Sequence, residues 1–397
     1  MSSQPNIPRL SPSAVGIAVA VFLLHLGANL ISPYGVHRDE FLYIAMGEHL
    51  RLWAMDFPPF IAIAANVSRA IFGDSLAAIR ILPALSGSLL ILLSVDIARR
   101  LGGKAFAQVL AALAMLLAGI FMRPGNLFQP VIFDQIWWTL GMWCILRWRQ
   151  SGDDRWWIGI GISMGIGLFT KFSILFFGFG VLVGLLATDE RRLLLTRWPW
   201  IALGLTLLIG LPSIVGQVRL GFPVMEQMQD LQTRQLVHVS WLDFIGGQFL
   251  NLGMSIIVAL AGVIALLSST RYAGVRILGW TFVGAFAVLF FLHGKAYYIG
   301  PIYPAMIGAG AVAIEAIGAG RMGTLFRAAV TGAVLIGGLF IIPFGLPVLS
   351  PPVMARYSQV LGITSAVKTN TGTMLRLPQD YADMLGWEEK VAELAKA

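Results

Sequence analysis

"AVGIAVAVFLLHLGANLI" (residues 14–31) runs directly into "SPYGVHRDEFLYIAMGEHL" (residues 32–50). A helix needs about 20 apolar residues to cross a bilayer, and the first stretch meets that length. His37, Arg38, Asp39 and Glu40 follow within a few residues of its end. A stop-transfer flank would do with lysines or nothing, so two adjacent carboxylates at a membrane exit ask for a reason of their own. No small-x-small cleavage site follows the run, and the next residues are charged and aromatic. The run therefore reads as a retained span rather than a signal peptide.

The rest of the chain agrees. Of 397 residues, 57% are hydrophobic and only 12% charged, against about 25% charged in soluble domains. A soluble core is excluded, and the chain reads as an all-α polytopic membrane protein. The net charge of +8 fits the excess of Lys and Arg in cytoplasmic loops and needs no nucleic-acid partner. Cys144 is the only cysteine, so no disulfide forms within the chain.

Apolar runs predict about 11 transmembrane helices, at 14–32, 78–98, 105–122, 130–147, 156–170, 172–188, 199–215, 249–268, 277–292, 297–316 and 328–346. Arg99, Arg100, Lys104, Arg147, Arg149, Arg155, Arg191, Arg192, Arg197, Arg271, Arg276, Arg321 and Arg327 all fall in loops on alternate turns of the chain. That face is expected to be cytoplasmic, with the N-terminus inside. The opposite, extracytoplasmic face then holds the loop 33–77, the loop 123–129, the loop 216–248 and the tail after residue 346. Residues 40–53 and 59–72 within the first outer loop mix apolar and charged positions and predict amphipathic helices in the membrane interface.

Ionisable groups are expensive within a span, at about 2.5–3.5 kcal/mol near the bilayer centre, and they collect at four places near its outer edge. Asp39 and Glu40 lie after the first span, where capping a helix start accounts for one carboxylate better than for two. Asp134 lies one turn inside "QPVIFDQIWWTL", after apolar residues rather than before them. Lys171 interrupts "GLFTKFSILFF". His293 and Lys295 precede Tyr297 and Tyr298 in "HGKAYYIGPIYP". Each alone reads as a cap, a snorkelling side chain or an aromatic belt. Together they place acids and bases from four segments on one face. Lysines there could neutralise a lipid phosphate, and a carboxylate could take a proton from an attacking hydroxyl. Such a site transfers a group from a lipid phosphate to an acceptor outside the cytoplasm.

At these residues the chain resembles the bacterial membrane glycosyltransferases of the GT-C fold, in the branch related to protein O-mannosyltransferases and aminoarabinose lipid A transferases. The matching pieces are "YGVHRDEFLYIAMGEHL", "DFPPF", "QPVIFDQIWW", "LFTKFSILFFGFGVLVGLL" and "KAYYIGPIYPAMIGAGAVAIE", in family order, with a late "LPQDYADMLGWEEKVAELA". The resemblance implies a transmembrane catalytic domain over 1–346. Residues 347–397 would be an extracytoplasmic tail, where relatives continue into a soluble domain. It implies inverting transfer of a sugar from a polyprenyl-phosphate donor, in the bacterial plasma membrane, to an extracytoplasmic lipid, polysaccharide or protein acceptor. Asp39, Glu40 and Asp134 would then be catalytic. Arg38, Tyr43, Asp56, Lys171, His293, Lys295, Tyr297 and Tyr298 would bind substrate. One departure concerns the lysine that precedes Pro-Pro in the aminoarabinose branch: Phe57 stands there, which moves phosphate binding to Arg38, Lys171 or Lys295. A divalent metal is left open, with Asp56 as its candidate ligand, and no other cofactor is implied. The alternative is a transporter or flippase of a lipid-linked sugar. It would need the same cations but no base, and the chain lacks the symmetric halves common in transporters.

Overall fold

The computed structural model describes residues 7–318, 320–369 and 371–396. Among them every named element is a helix, and the one β-bridge pairs Lys368 with Met374. Each of the eleven expected spans coincides with a helix or a broken helix, but length and hydropathy alone do not establish eleven crossings. Among the described residues five helices are long and apolar enough: Pro12–Ile31, Leu76–Arg100, Trp241–Ser268, Ala296–Glu315 and Arg321–Gly345. Two further runs are broken, Ala105–Leu116 with Gly119–Asn126 at 71° and Asp189–Leu195 with Trp198–Ile209 at 68°. Trp156–Thr170, Ile174–Leu186 and Ile277–Phe291 are shorter apolar helices. Pro130–Ser151 has the length for a span, but Asp134, Gln135 and its tryptophans dilute its hydropathy.

The helix Tyr303–Glu315 is the centre of the bundle, buried along nearly its whole length between Ile256–Ser268, Ile81–Arg100 and Ala105–Leu116. Its sequence, "YPAMIGAGAVAIE", explains the placement. A Cβ on Gly310 would fall on the carbonyl oxygen of Val258, and one on Gly262 would fall on that of Met306. The two backbones touch because neither glycine has a side chain, which is how apolar helices associate where lipid is as apolar as leucine. Arg321–Gly345 lies at the edge, with Leu335, Ile336, Leu339 and Phe340 exposed.

Polar side chains tie the helices where apolar packing cannot fix register. Ser94 Oγ donates to the Pro304 carbonyl at 2.7 Å, and Thr139 Oγ1 donates to that of Pro301 at 3.1 Å. The expected basic loops gather at one end of the bundle. Gln150 Nε2 donates to the Arg100 carbonyl at 2.7 Å, and Arg149 pairs with Glu190 at 2.6 Å and donates to the Gly274 carbonyl at 2.8 Å. The Lys104 N–H donates to Glu315 at 2.8 Å, while Arg327 donates to the Glu315 carbonyl at 3.1 Å.

At the other end the first loop forms two helices, Arg38–Glu48 and Phe60–Phe72. The second coincides with its expected range. The first starts two residues earlier than expected and stops at Glu48, with Arg51–Ala54 in a turn. Its caps, described next, set that start. The described residues after 346 do not stand apart: Met354, Tyr381 and Met384 share a small apolar core with Tyr34 and Leu127.

Candidate functional site

The helix Arg38–Glu48 begins with a reciprocal cap. The Asp39 N–H donates to His37 Nδ1 at 3.1 Å, and the His37 N–H donates to Glu40 Oε2 at 2.7 Å. Two free N–H groups of the helix start are thereby satisfied. Glu40 is completely buried and accepts three more bonds: from Arg80 Nε at 2.8 Å, from Arg80 Nη2 at 2.7 Å and from the Phe128 N–H at 2.8 Å. Arg80, equally buried, also donates to Asn29 Oδ1 at 3.2 Å and to the Gly35 carbonyl at 3.3 Å. Burial opposes ionisation of Glu40, but the Arg80 charge and these hydrogen bonds outweigh it and hold the carboxyl below its ordinary range. Adjacent helical residues point about 100° apart. The pair read together in the sequence is therefore split: Glu40 is an anchor between three segments, and Asp39 faces open space.

Asp39 lines a cavity of about 470 Å³ together with Arg38, Arg123, Gln129, Tyr297 and Asp380. Its side chain is 36% exposed. Gln129 Nε2 donates to Oδ2 at 3.1 Å, and Arg38 Nε lies 3.4 Å from Oδ1. Lys171 Nζ lies 5.0 Å from the centre of the Tyr298 ring and 5.4 Å from that of Tyr297, a cation–π arrangement. Lys295 Nζ donates to Gln235 Oε1 at 2.5 Å. Burial, then the charges of Lys171 and Arg38, push the Lys295 ammonium down to about 8, and Asp39 offsets part of this. Tyr43 is held well above the ordinary phenol range by burial and by the Asp39 charge.

The fold thus places three of the residues read from the sequence, Arg38, Asp39 and Tyr297, on the cavity wall, and gathers Tyr43, Lys171, Lys295 and Tyr298 around them without putting these four on the wall itself. Asp134 is buried off the cavity wall, accepting from Trp138 Nε1 at 3.0 Å and from Ser173 Oγ at 2.7 Å. It is near enough to Lys171 for their charges to interact, so it sits behind the site. Asp56 is exposed, takes the Phe57 N–H at 3.1 Å and is not on this wall; Gln217 Nε2 donates to its carbonyl at 2.6 Å. His293 is also exposed and off the wall, stacked on Trp241 with ring centres 5.6 Å apart, at the positive φ of 52°.

Sequence reasoning missed Arg80, Arg123, Gln129, Asp380 and Asp383. A signal existed for the first two, since each is a lone arginine beside apolar runs, where a charge is costly. The two aspartates lie in the late "LPQDYADMLGWEE" stretch, which folds back onto the first loop. The Arg38 N–H donates to the Asp383 carbonyl at 3.2 Å, Asp383 Oδ2 lies 3.3 Å from Arg38 Nε, and Asp380 forms an ion pair with Arg123. Tyr381 packs on Tyr34 at 4.8 Å and donates to the Pro343 carbonyl at 2.8 Å, and Trp387 packs on Phe41 at 5.5 Å.

Among the described residues, His37, Asp380 and Asp383 are the one group spaced to hold a metal ion, and Asp56 is not in it. The chemistry of this group does not suit a cation. Its free imidazole nitrogen is Nε2. Ligation there would put the proton on Nδ1, where it would face the Asp39 N–H rather than an acceptor. Metal-bound histidines ordinarily donate that second N–H to a carboxylate, carbonyl or water. Asp380 is already paired with Arg123.

Comparisons with known proteins bear on the fold. A family model described as dolichyl-phosphate-mannose-protein mannosyltransferase matches residues 56–215, less than half of the chain. No curated protein sequence matches. Among solved structures, ArnT from Cupriavidus metallidurans bound to undecaprenyl phosphate aligns with a TM-score of 0.64 at 18% identity, over 96% of this chain and 78% of that one. The apo state of the same ArnT gives 0.63 at 20% identity, over 86% and 64%. An oligosaccharyltransferase from Archaeoglobus fulgidus, tethered to an acceptor peptide, gives 0.58 at 12% identity, over 94% and 60%. The chain therefore spans less than two thirds of the length of the second and third of these. All are glycosyltransferases of one membrane architecture. With its helical bundle, its apolar helices and these structural matches, the chain is an all-α polytopic membrane protein of the GT-C fold.

Proposed function

We propose that the protein is an inverting glycosyltransferase of the bacterial plasma membrane. It takes a sugar from a polyprenyl-phosphate donor and passes it to an acceptor hydroxyl on the extracytoplasmic face. The observation that carries this reading is Asp39: a partly exposed carboxylate on a cavity wall, beside Arg38 and Arg123 and within electrostatic reach of Lys295. Asp134, buried off the wall, is a positioning residue that acts through the charge of Lys171. The basic loops at the far end of the bundle favour a cytoplasmic position for that end, which turns the cavity outward. The ArnT structure bound to undecaprenyl phosphate supports a lipid phosphate as the donor's anchor.

In the reaction the acceptor oxygen attacks the anomeric carbon from the side opposite the phosphate. The carbon–oxygen bond to the phosphate breaks, and both of its electrons leave with the polyprenyl phosphate. Asp39 accepts the proton of the attacking hydroxyl, for which it must come within about 2.6–3.2 Å of that oxygen. Arg38, Lys171 and Lys295 stabilise the departing phosphate. Cations held in a site that excludes water do this more strongly than cations in solution. Tyr43, Tyr297 and Tyr298 supply a wall for the sugar and the first part of the lipid. Residues 1–346 form the catalytic membrane domain, and the segment after them completes the cavity.

The test is release of polyprenyl phosphate by protein in lipid, given a panel of polyprenyl-phosphate sugars with membrane extract as acceptor. Wild type should release it with at least one donor. Asp39→Asn should release none while inserting and folding normally. Unchanged turnover in that variant would refute the assignment of Asp39. Absence of release with every donor would instead favour transport of a lipid-linked sugar.

A further inference from the structure

We infer that Asp383, in the segment that folds back over the first loop, is a positioning residue for the reaction: it holds Asp39 in place through His37 and Arg38. This rests on the glycosyltransferase reading above and extends it to a part of the chain distant in sequence.

Three contacts carry the inference. The Asp383 carbonyl accepts the N–H of Arg38, the residue immediately before Asp39, at 3.2 Å. The Asp383 carboxylate lies 3.3 Å from Arg38 Nε, and that same nitrogen lies 3.4 Å from Asp39 Oδ1. Arg38 is thus clamped between the two carboxylates. The third contact is His37. Its side chain is almost completely buried, and its Nε2 has no hydrogen-bond partner while pointing at Asp383 Oδ2, 3.8 Å away, and Asp380 Oδ1, 4.0 Å away.

The tautomer explains why the carboxylates matter. His37 caps the helix by accepting the Asp39 N–H on Nδ1. A neutral imidazole with a free lone pair on Nδ1 carries its proton on Nε2. Asp380 and Asp383 face that N–H and favour the tautomer the cap requires. Asp39, Glu40, Asp380, Asp383 and Arg123 are the charged groups around the ring. Arg123 holds Asp380, which leaves Asp383 as the acid that serves both His37 and Arg38. Asp383 is itself fixed from behind, since Trp387 Nε1 donates to its carbonyl at 2.8 Å. A displacement of about 1 Å in a reacting group can cost about 10²-fold in rate, so loosening this clamp should act on turnover more than on donor affinity.

The test compares wild type, Asp383→Asn, Asp383→Glu and Asp39→Asn in lipid, with kcat and KM read from polyprenyl phosphate release across the same donor panel. Asp383→Asn keeps the shape and the backbone bond but removes the charge. It should lower kcat about 10²-fold with KM within about twofold, and Asp383→Glu should recover part of the loss. If Asp383→Asn does not fold, Trp387→Phe removes the support of the same carbonyl and should move kcat in the same direction. An inactive Asp39→Asn beside an Asp383→Asn that turns over like wild type would overturn the inference and leave the transferase reading standing. A rise in KM at constant kcat would also overturn it, making the segment a donor-binding element instead. No release by wild type with any donor would remove the transferase reading and this inference with it.

Discussion

Replacing Glu40 by glutamine tests the division of labour between the two adjacent acids. Glu40 is buried, accepts both Arg80 nitrogens at 2.7–2.8 Å, and takes the N–H groups of His37 and Phe128 at 2.7 and 2.8 Å. Glutamine keeps the shape but removes the charge, and its amide NH₂ meets donors where an oxygen accepted them. Arg80 is then a buried cation without its counter-ion. Breaking a buried ion pair by removing one partner costs about 3–5 kcal/mol. Because Phe128 adjoins Gln129, which donates to Asp39, turnover should fall as well. Chemical unfolding in detergent, followed by tryptophan fluorescence, measures the first effect. The matched control is Glu40→Leu with Arg80→Met. It removes both charges, and replacing a buried pair by apolar groups of similar volume is often neutral or stabilising. It should recover most of the lost stability without recovering full activity. A Glu40→Gln variant within about 1 kcal/mol of wild type, or a double variant no better than the single one, would refute the assignment of Glu40 as an anchor.

Asp39→Asn should behave oppositely, losing turnover but staying within about 1 kcal/mol in the same unfolding assay, because its contacts to Arg38 and Gln129 are partly solvated. Donor KM should rise as pH increases through about 8, where Lys295 loses its charge; Lys295→Arg should flatten that rise in a pH series. The stabilising contribution of Glu40 has its own pH window. Its carboxyl is depressed in the folded state, so the contribution is full above the unfolded value of 4.5 and is lost as pH falls through the lower folded one, and acid unfolding midpoints should show it. Gly310→Ala should reduce thermal stability and yield markedly, since the added carbon meets the Val258 backbone. Overpacking of this kind costs about 1–3 kcal/mol or more; Gly204→Ala, with open space around it, should be close to wild type.

The membrane-spanning helices were legible because the physics that makes them is local. A bilayer demands runs of apolar residues of fixed length, and such runs can be read off directly. The basic loops were legible for the same reason, and they meet at one end as their alternation requires. Asp39 was legible as a residue but not as the single exposed member of its pair. Capping chemistry gave one acid to a helix start, and it was Arg80, 40 positions along the chain, that claimed Glu40. Asp56 enters the sequence reading through the family resemblance, and His293 through its place beside Lys295 and the tyrosines. Their side chains nevertheless point elsewhere, one into solvent beside Phe57 and one onto Trp241.

By itself, then, the sequence determined an all-helical membrane bundle, the end of it that collects acids and aromatics, and the pieces that resemble the GT-C enzymes. Only the tertiary structure decided which of those charges gather at a common cavity, and it added Arg123, Gln129 and Asp380 to the wall and Asp383 behind Arg38. The reason is physical. Crossing a membrane depends on the composition of one segment at a time, whereas a site depends on which side chains distant segments turn toward each other. Close backbone packing at Gly262 and Gly310, the buried Glu40–Arg80 pair and the returning C-terminal segment fix that orientation. Each of them joins residues between about 40 and 350 positions apart, a separation that no local pattern encodes.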